Sequence, residues 1–220
     1  QKFALMSEST AILEKYIDAG VMKAELKELF GKRFQTNCFA GLDLQLSHNP
    51  IRLTIKVRDP QEAIGENKFR LRQLQNMVAQ RLSVPAENVD IVFEKIVENR
   101  LEPAVHAEML RTTFLGGKPY KRAINTIIRD VRSAGGQGVM VKVSGKIKGL
   151  RARSTKFFDG LLIQCGQPAK DYIRTAMSEA KCKQGVIGIQ VSVMLPYDPE
   201  GIKGTSVMLP DKIIVLEPKG

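Results

Sequence analysis

Residues 41–82 read GLDLQLSHNPIRLTIKVRDPQEAIGENKFRLRQLQNMVAQRL, and the change of period inside this stretch decides the fold. Leu42, Leu44 and Leu46 alternate with polar neighbours. Ile51, Leu53, Ile55 and Val57 do the same beyond the turn signal His48-Asn49-Pro50. A period of two sends successive side chains to opposite faces of an extended chain, so the spacing predicts two half-buried strands, paired antiparallel. Asp59-Pro60 breaks the pattern, a short segment Gln61–Ile64 follows, and then Gly65-Glu66-Asn67-Lys68. From Phe69 to Leu82 the period becomes helical. Phe69, Leu71, Leu74, Met77, Val78 and Leu82 form the apolar side, and Arg70, Arg72, Gln73 and Gln80 supply much of the other.

Upstream, Ile12, Leu13, Tyr16 and Ile17 make residues 1–20 a helical lead-in. Val21, Leu26, Leu29 and Phe30 carry the helix to about Phe34, with Gly31 a candidate stop or bend. Downstream, Ser83–Glu87 is a turn and Asn88–Val97 a third strand. This order of helix, strand, strand, short helix, glycine loop, helix and strand resembles a type II KH module over residues 21–98. In KH modules a G-x-x-G loop between two helices clamps single-stranded RNA. Its glycines let backbone N–H groups approach phosphates, and the helix N-terminus behind them adds a favourable dipole. Here Gly65 and Glu66 open the loop, Asn67 follows, and Lys68 stands at the second glycine position. A Cβ there hinders close approach, while the ammonium offers a phosphate contact of its own. A plain surface turn between two helices is the competing reading of these four residues.

The composition is that of a globular protein: 43% hydrophobic and 26% charged over 220 residues. No uninterrupted apolar run approaches the roughly 18–20 residues of a membrane span. Gln1–Thr10 lacks a basic segment followed by an apolar stretch, so no secretory signal is expected there, and a chain opening on Gln1 is expected to lack its native first residues. Cys38, Cys165 and Cys182 are far apart, and neither His48 nor His106 lies near one in sequence. The expectation is buried cytosolic thiols, with no zinc site, no disulfide framework and no cofactor.

The formal charge of +11 points to a polyanionic partner, nucleic acid first and an anionic membrane surface second. That charge is concentrated. Residues 101–160 hold 12 basic and 4 acidic side chains, a net of +8. Between Arg111 and Lys156 the single acid is Asp130.

Asn99–Pro103 breaks the pattern and is the expected boundary of a second domain, residues 99–195. Ala104–Leu115 reads as a helix stopped by Gly116-Gly117. A second helix runs from about Pro119 to Ala134, with Pro at its first turn and Gly135-Gly136 beyond its end. Ala123, Ile124, Ile127, Ile128 and Val131 form its apolar stripe. Lys118, Arg122, Asn125, Arg129 and Arg132, spaced by three, four or seven, share the other face with Lys121 beside them. With almost no acid available to pair them, phosphate contact is favoured over a merely solvated face. Val139–Val143 is a strand, leading into a basic loop with Lys146 and Lys148, then Arg151, Arg153 and Lys156. Phe157–Gln164 reads as a strand, Tyr172–Gln184 fits helix or strand, and Val186–Leu195 is a strand. The whole is α+β: a three-stranded KH sheet with helices, then two helices packed on a mostly antiparallel sheet. A turn-rich, extended tail over 196–220 is expected to need another surface to hold it.

Several runs in the second domain resemble the small-subunit ribosomal protein S three family. They are Gly135-Gly136-Gln137-Gly138 through Val141-Lys142-Val143-Ser144-Gly145-Lys146, Arg151-Ala152-Arg153-Ser154, Lys156-Phe157-Phe158-Asp159-Gly160-Leu161, Gln184-Gly185-Val186-Ile187-Gly188-Ile189 and Met194-Leu195-Pro196-Tyr197-Asp198-Pro199. Leu209-Pro210-Asp211 with Glu217-Pro218-Lys219 is similar to the eukaryotic cytosolic form, and Lys23-Ala24-Glu25-Leu26 sits where that form has its first KH helix. The resemblance runs from about Tyr16 to the end. It implies a place in the head of the small ribosomal subunit, with rRNA, mRNA and neighbouring ribosomal proteins as partners. No membrane and no obligate homo-oligomer are expected. It further implies a cytosolic location, with nuclear passage during subunit assembly. The family's mRNA-facing basic pair matches Lys121 and Arg122. A third basic position of the bacterial form is Asn125 here, with Arg129 and Arg132 on the same face as substitutes.

The mechanism so implied is electrostatic. Lys121 and Arg122 neutralise backbone phosphates without reading sequence, and Lys118, Arg129, Arg132, Lys146, Lys148, Arg151, Arg153 and Lys156 dock on rRNA phosphates. Unwinding of structured message and start-site scanning then follow from holding a narrow single-stranded path. The chain has no G-x-x-x-x-G-K-S/T loop and no D-F-G or H-R-D set, so no enzyme is expected. Two alternatives stand beside this: a free-standing KH regulator of messages, and a lyase acting on damaged DNA through a lysine Schiff base.

Overall fold

The computed structural model describes residues 2–46, 48–147, 149–209, 213 and 215, with side chains from Leu13 onward. The chain divides into two compact units, Gln1–Ile96 and Val97–Gly220.

The first unit contains α1 (Lys2–Arg33), β1 (Gly41–Gln45), β2 (Ile51–Val57), α2 (Pro60–Ile64), α3 (Phe69–Leu82) and β3 (Val89–Lys95). Its sheet has the order β1-β2-β3, with β1 antiparallel and β3 parallel to β2. Parallel neighbours need a crossover, and α2, the glycine loop and α3 supply it. Leu53, Ile55 and Val57 of β2 meet Val89 and Ile91 of β3. Leu74 and Val78 of α3 pack on them, together with Leu26 and Phe30 of α1. Helix α1 runs through Gly31 to Arg33, in line with the expected end near Phe34. One expectation for the helices needs correction. Phe69, expected on the apolar side of α3, is 64% exposed because the first turn of that helix lies beside the loop and not over the sheet.

The second unit contains α4 (Pro103–Leu115), α5 (Tyr120–Ser133), β4 (Gly138–Gly145), β5 (Arg153–Gly160), α6 (Gly166–Tyr172), β6 (Ile173–Cys182) and β7 (Gly185–Met194). The sheet order is β5-β4-β7-β6 and every pairing is antiparallel. Val139, Val141, Val143, Ile189, Val191 and Val193 face Leu110 of α4 and Ile124, Ile127 and Val131 of α5. All of these are nearly or wholly inaccessible to solvent.

The strand expected over Phe157–Gln164 lies at Arg153–Gly160. The hairpin register ends at Gly138↔Gly160, and Gly160 takes a left-handed φ of 79° that turns the chain out of the sheet. Leu161 then crosses Gly138 so closely that a Cβ there would meet its carbonyl oxygen at 1.9 Å. Gly138 therefore serves this crossing, whereas Gly136 lies against Val131 at the end of the preceding helix. The ambiguous stretch from Tyr172 resolves as strand, because β6 pairs with β7 from Ile173↔Met194 to Cys182↔Gly185. Helix α6 has no counterpart among the elements expected from the sequence.

Tail residues 196–207 do not wait for another surface. The Thr205 hydroxyl donates to the Asp171 carbonyl at 2.8 Å, and the Tyr172 hydroxyl donates to the Val207 carbonyl. The Asp198 carboxylate accepts the backbone N–H groups of Lys203 at 2.9 Å and Glu200 at 3.1 Å. Those donors hold its pKa below the usual carboxylate value. Among the described residues no helix is long and apolar enough to cross a membrane.

Candidate nucleic-acid interface

Helix α5 carries the strongest separation of apolar and charged side chains in the molecule. Ile124, Ile127 and Val131 are fully buried, while Lys121, Arg122, Asn125, Arg129 and Arg132 are exposed. The first turn holds two cations and no acid. That placement opposes the helix dipole, so the end of α5 is strongly positive and favours an anion. Lys118, also exposed, stands just ahead of it, its N–H bonded to the Thr113 carbonyl at 3.1 Å.

Tyr120 fixes this end against the sheet. Its ring stacks on Phe114 of α4 with centroids 5.5 Å apart and meets Phe157 of β5 edge-on at 6.5 Å. The anchor sets Lys121 beside the connection between β4 and β5. Together they enclose an open cleft of about 770 Å³ lined by Tyr120, Lys121, Ile147, Leu150, Arg151 and Arg153 among others. Among the described residues no acid lines it. Lys121 thus shares one concave surface with Arg151 and Arg153, which lie about 30 positions further along the chain, the geometry that gathers phosphate groups.

The structure separates the remaining candidates. Arg122 and Arg129 are exposed along α5, outside the cleft lining. Arg132 is engaged: Asp159 of β5 receives its Nε at 2.5 Å and a terminal nitrogen at 3.0 Å. The expectation that the α5 cations lack acidic partners fails at this residue, because the hairpin brings in an acid 27 positions away. Lys146 is exposed near the connection, and Lys148 lies outside the described residues. Lys156 projects from β5 on the sheet face opposite the helices, since its neighbour Phe157 packs into the core. Sequence reasoning missed Tyr120 and Lys142, although Tyr120 stands four positions before Ile124 on the apolar stripe and Lys142 alternates with Val141 and Val143.

In the first unit the loop Gly65–Lys68 adopts the conformation that glycines favour. Gly65 has φ 73°, Asn67 φ 52° and Lys68 φ 59°. Arg70 braces it by lying against Gly65 and donating to the Glu62 carbonyl at 3.0 Å. A shallow pocket of about 750 Å³ beside the loop is lined by Glu62, Glu66, Asn67, Phe69 and Arg70, among others. The two carboxylates there oppose an anion, while Arg70 favours one.

Residues 110–193 match the family described as ribosomal protein S3, C-terminal domain. The chain is also 50% identical, over 210 residues, to the small ribosomal subunit protein uS3 of Encephalitozoon cuniculi (strain GB-M1), covering 96% of this chain and 97% of that protein. The chain belongs to the uS3 family. The α5 helix, the basic cleft and most of the four-stranded sheet fall inside the matched C-terminal domain, while the Gly65–Lys68 loop precedes it. As a uS3 protein the chain is a small-subunit ribosomal protein, in line with the resemblance seen in its sequence.

Proposed function

We propose that this chain is a structural constituent of the small-subunit head that binds rRNA and grips mRNA along the path by which message enters. The single observation that supports the grip is the acid-free cleft joining Lys121 to Arg151 and Arg153. Phosphates in that cleft are neutralised without contact to base edges, so every message is accepted alike. Arg122 and Arg129 extend the positive track along α5. Single-stranded message fits such a path, and translocation against it opens structured segments and supports start-site scanning. No covalent step is needed from the protein. The Gly65–Lys68 loop, between two helices beside a sheet of mixed pairing, supports a type II KH reading of the first unit. The working place is the cytosolic ribosome, reached after nuclear passage during assembly.

The test is Lys121→Glu with Arg122→Glu in ribosomes. Both side chains are exposed, so the variant is expected to fold and to sediment with small subunits. Initiation on messages with structured leaders is expected to fall several-fold relative to unstructured ones. A normal rate on structured leaders would overturn the channel assignment, and failure of the unaltered chain to sediment with subunits would favour the free regulator.

A further inference from the structure

The sheet of the second unit has two faces, and only one is packed against α4 and α5. Val139, Val141, Val143, Ile189 and Val191 point into that core. The period of two sends Lys142, Ser144, Ser154, Lys156, Phe158 and Gln190 to the other face. Part of this second face is closed, for Ser192 and Met194 are buried and the Gln164 amide reaches the Met140 sulfur at 3.7 Å. The rest is open: Phe158 is 57% exposed and Met177 75%.

Two features distinguish the open part from an ordinary solvated surface. The register sets Lys142 directly opposite Lys156 on adjacent strands. Like charges so placed repel. Neither lysine has an ion-pair partner among the described residues, and their neighbours on this face are the neutral Gln190, Met140, Phe158, Ser144 and Ser154. The acid reached by register two strands away, Glu179, already pairs with Lys181 at 4.0 Å. The fold therefore holds an uncompensated cation pair that an incoming anion would relieve. Beside that pair stands a bare aromatic ring. An exposed ring next to cations is how proteins hold single-stranded nucleic acid, bases stacking while phosphates are neutralised. The hydroxyls of Ser144 and Ser154, 3.2 Å apart, and the Gln190 amide add donors and acceptors for ribose and base edges. A purely acidic peptide would satisfy the lysines but bring nothing to cover the ring, whereas one single-stranded RNA segment supplies both the phosphates and the base.

We propose that this open sheet face is a second RNA-binding surface, taking a single-stranded RNA segment with a base stacked on Phe158 and phosphates held between Lys142 and Lys156. It goes beyond the cleft at Lys121 and stands independently of it, on the other face of the same sheet.

The test uses the full chain carrying Lys121→Glu and Arg122→Glu as reference, so that the α5 surface does not dominate. The probe is a labelled oligouridylate of about eight nucleotides, followed by fluorescence anisotropy. Replacing Phe158→Ala in that background is expected to weaken binding roughly five-fold or more, with Phe158→Tyr close to the reference. Lys142→Gln with Lys156→Gln should reduce the log–log salt slope by about 1.4, from ~0.7 per phosphate contact on a single strand. A 5-bromouridine version of the probe should crosslink to the peptide containing Phe158. Should Phe158→Ala melt early, Phe158→Leu keeps an apolar side chain, removes the ring and is expected to show the same loss. Indifference of the probe to Phe158 overturns the proposal. Capture of an oligoglutamate peptide by the two lysines with no effect at Phe158 overturns it too, in favour of an acidic protein segment. Initiation on structured leaders reports on Lys121 and Arg122 alone, so the two proposals fail separately.

Discussion

The loop at Gly65–Lys68 and the cleft at Lys121 offer an anion different things. The loop provides backbone shape: three of its four residues sit at positive φ, and a short turn leads directly into the N-terminus of α3. Its surroundings are poor in charge, with Glu62 and Glu66 at the pocket and a net of only +2 over residues 1–100. The cleft provides charge from side chains on an ordinary helix and an ordinary hairpin, with no acid in its lining. Backbone N–H groups hold phosphate at short range and in one geometry, whereas side-chain cations act over a Debye length and tolerate many geometries. The second kind suits the mRNA path proposed above, so the two regions are suited to different kinds of contact with an anion.

The largest expected effect is in the cleft. Arg151→Glu with Arg153→Glu should lower the affinity of the full chain for single-stranded RNA about tenfold or more at low salt, and should flatten the salt slope by about 1.4. Anisotropy titrations at several salt concentrations check this, and an unchanged slope would erase the distinction between cleft and loop. The loop predicts an intermediate effect of opposite sign. Lys68 holds φ 59°, a conformation costing an L-residue roughly 1–2 kcal/mol. Lys68→Gly should therefore stabilise the protein by about 1 kcal/mol in urea denaturation, with RNA affinity equal or higher. A marked loss of affinity instead would show that the ammonium has replaced the backbone as the loop's anion contact, making loop and cleft alike. The smallest effect concerns Arg132. Asp159→Asn frees its guanidinium from a partly exposed ion pair, which should cost roughly 0.5 kcal/mol of stability. It should strengthen RNA binding about twofold by adding one phosphate contact. If binding does not rise, Arg132 lies outside the RNA track and α5 presents fewer cations than its sequence suggests.

Much of the architecture is legible in the chain itself. Helix α3 runs over the same residues that its period predicts, and the alternation at 41–57 matches an antiparallel pair whose strands lie where expected. These elements are strongly periodic, and their pattern follows from burial of one face. Apolar periodicity puts β5 too far along the chain, because its apolar run, Phe157 onward, continues past the turn at Gly160 into residues that leave the sheet. Apolarity alone does not mark where a backbone must turn. Helix α6 is short and opens with Gly-Gln-Pro, which reads as a turn. The site is legible as charge and not as geometry: the basic excess of residues 101–160 is plain, but not which cations converge.

What the sequence determines by itself is therefore composition and period. The +8 between residues 101 and 160, the amphipathic α5 and the scarcity of acids around it, with Asp130 alone between Arg111 and Lys156, are properties of the linear chain, and the faces follow from spacing of 3.6 and 2 residues. Only the tertiary structure decided how that charge is divided. Pairing of β4 with β5 sent Lys156 to the opposite face beside Lys142, delivered Asp159 to Arg132, and left Arg151 and Arg153 facing Lys121. Strand register acts between residues distant in sequence, and a shift of one would exchange the two faces of the sheet. One basic region in the sequence becomes a cleft, an ion pair and an open lysine pair for that reason.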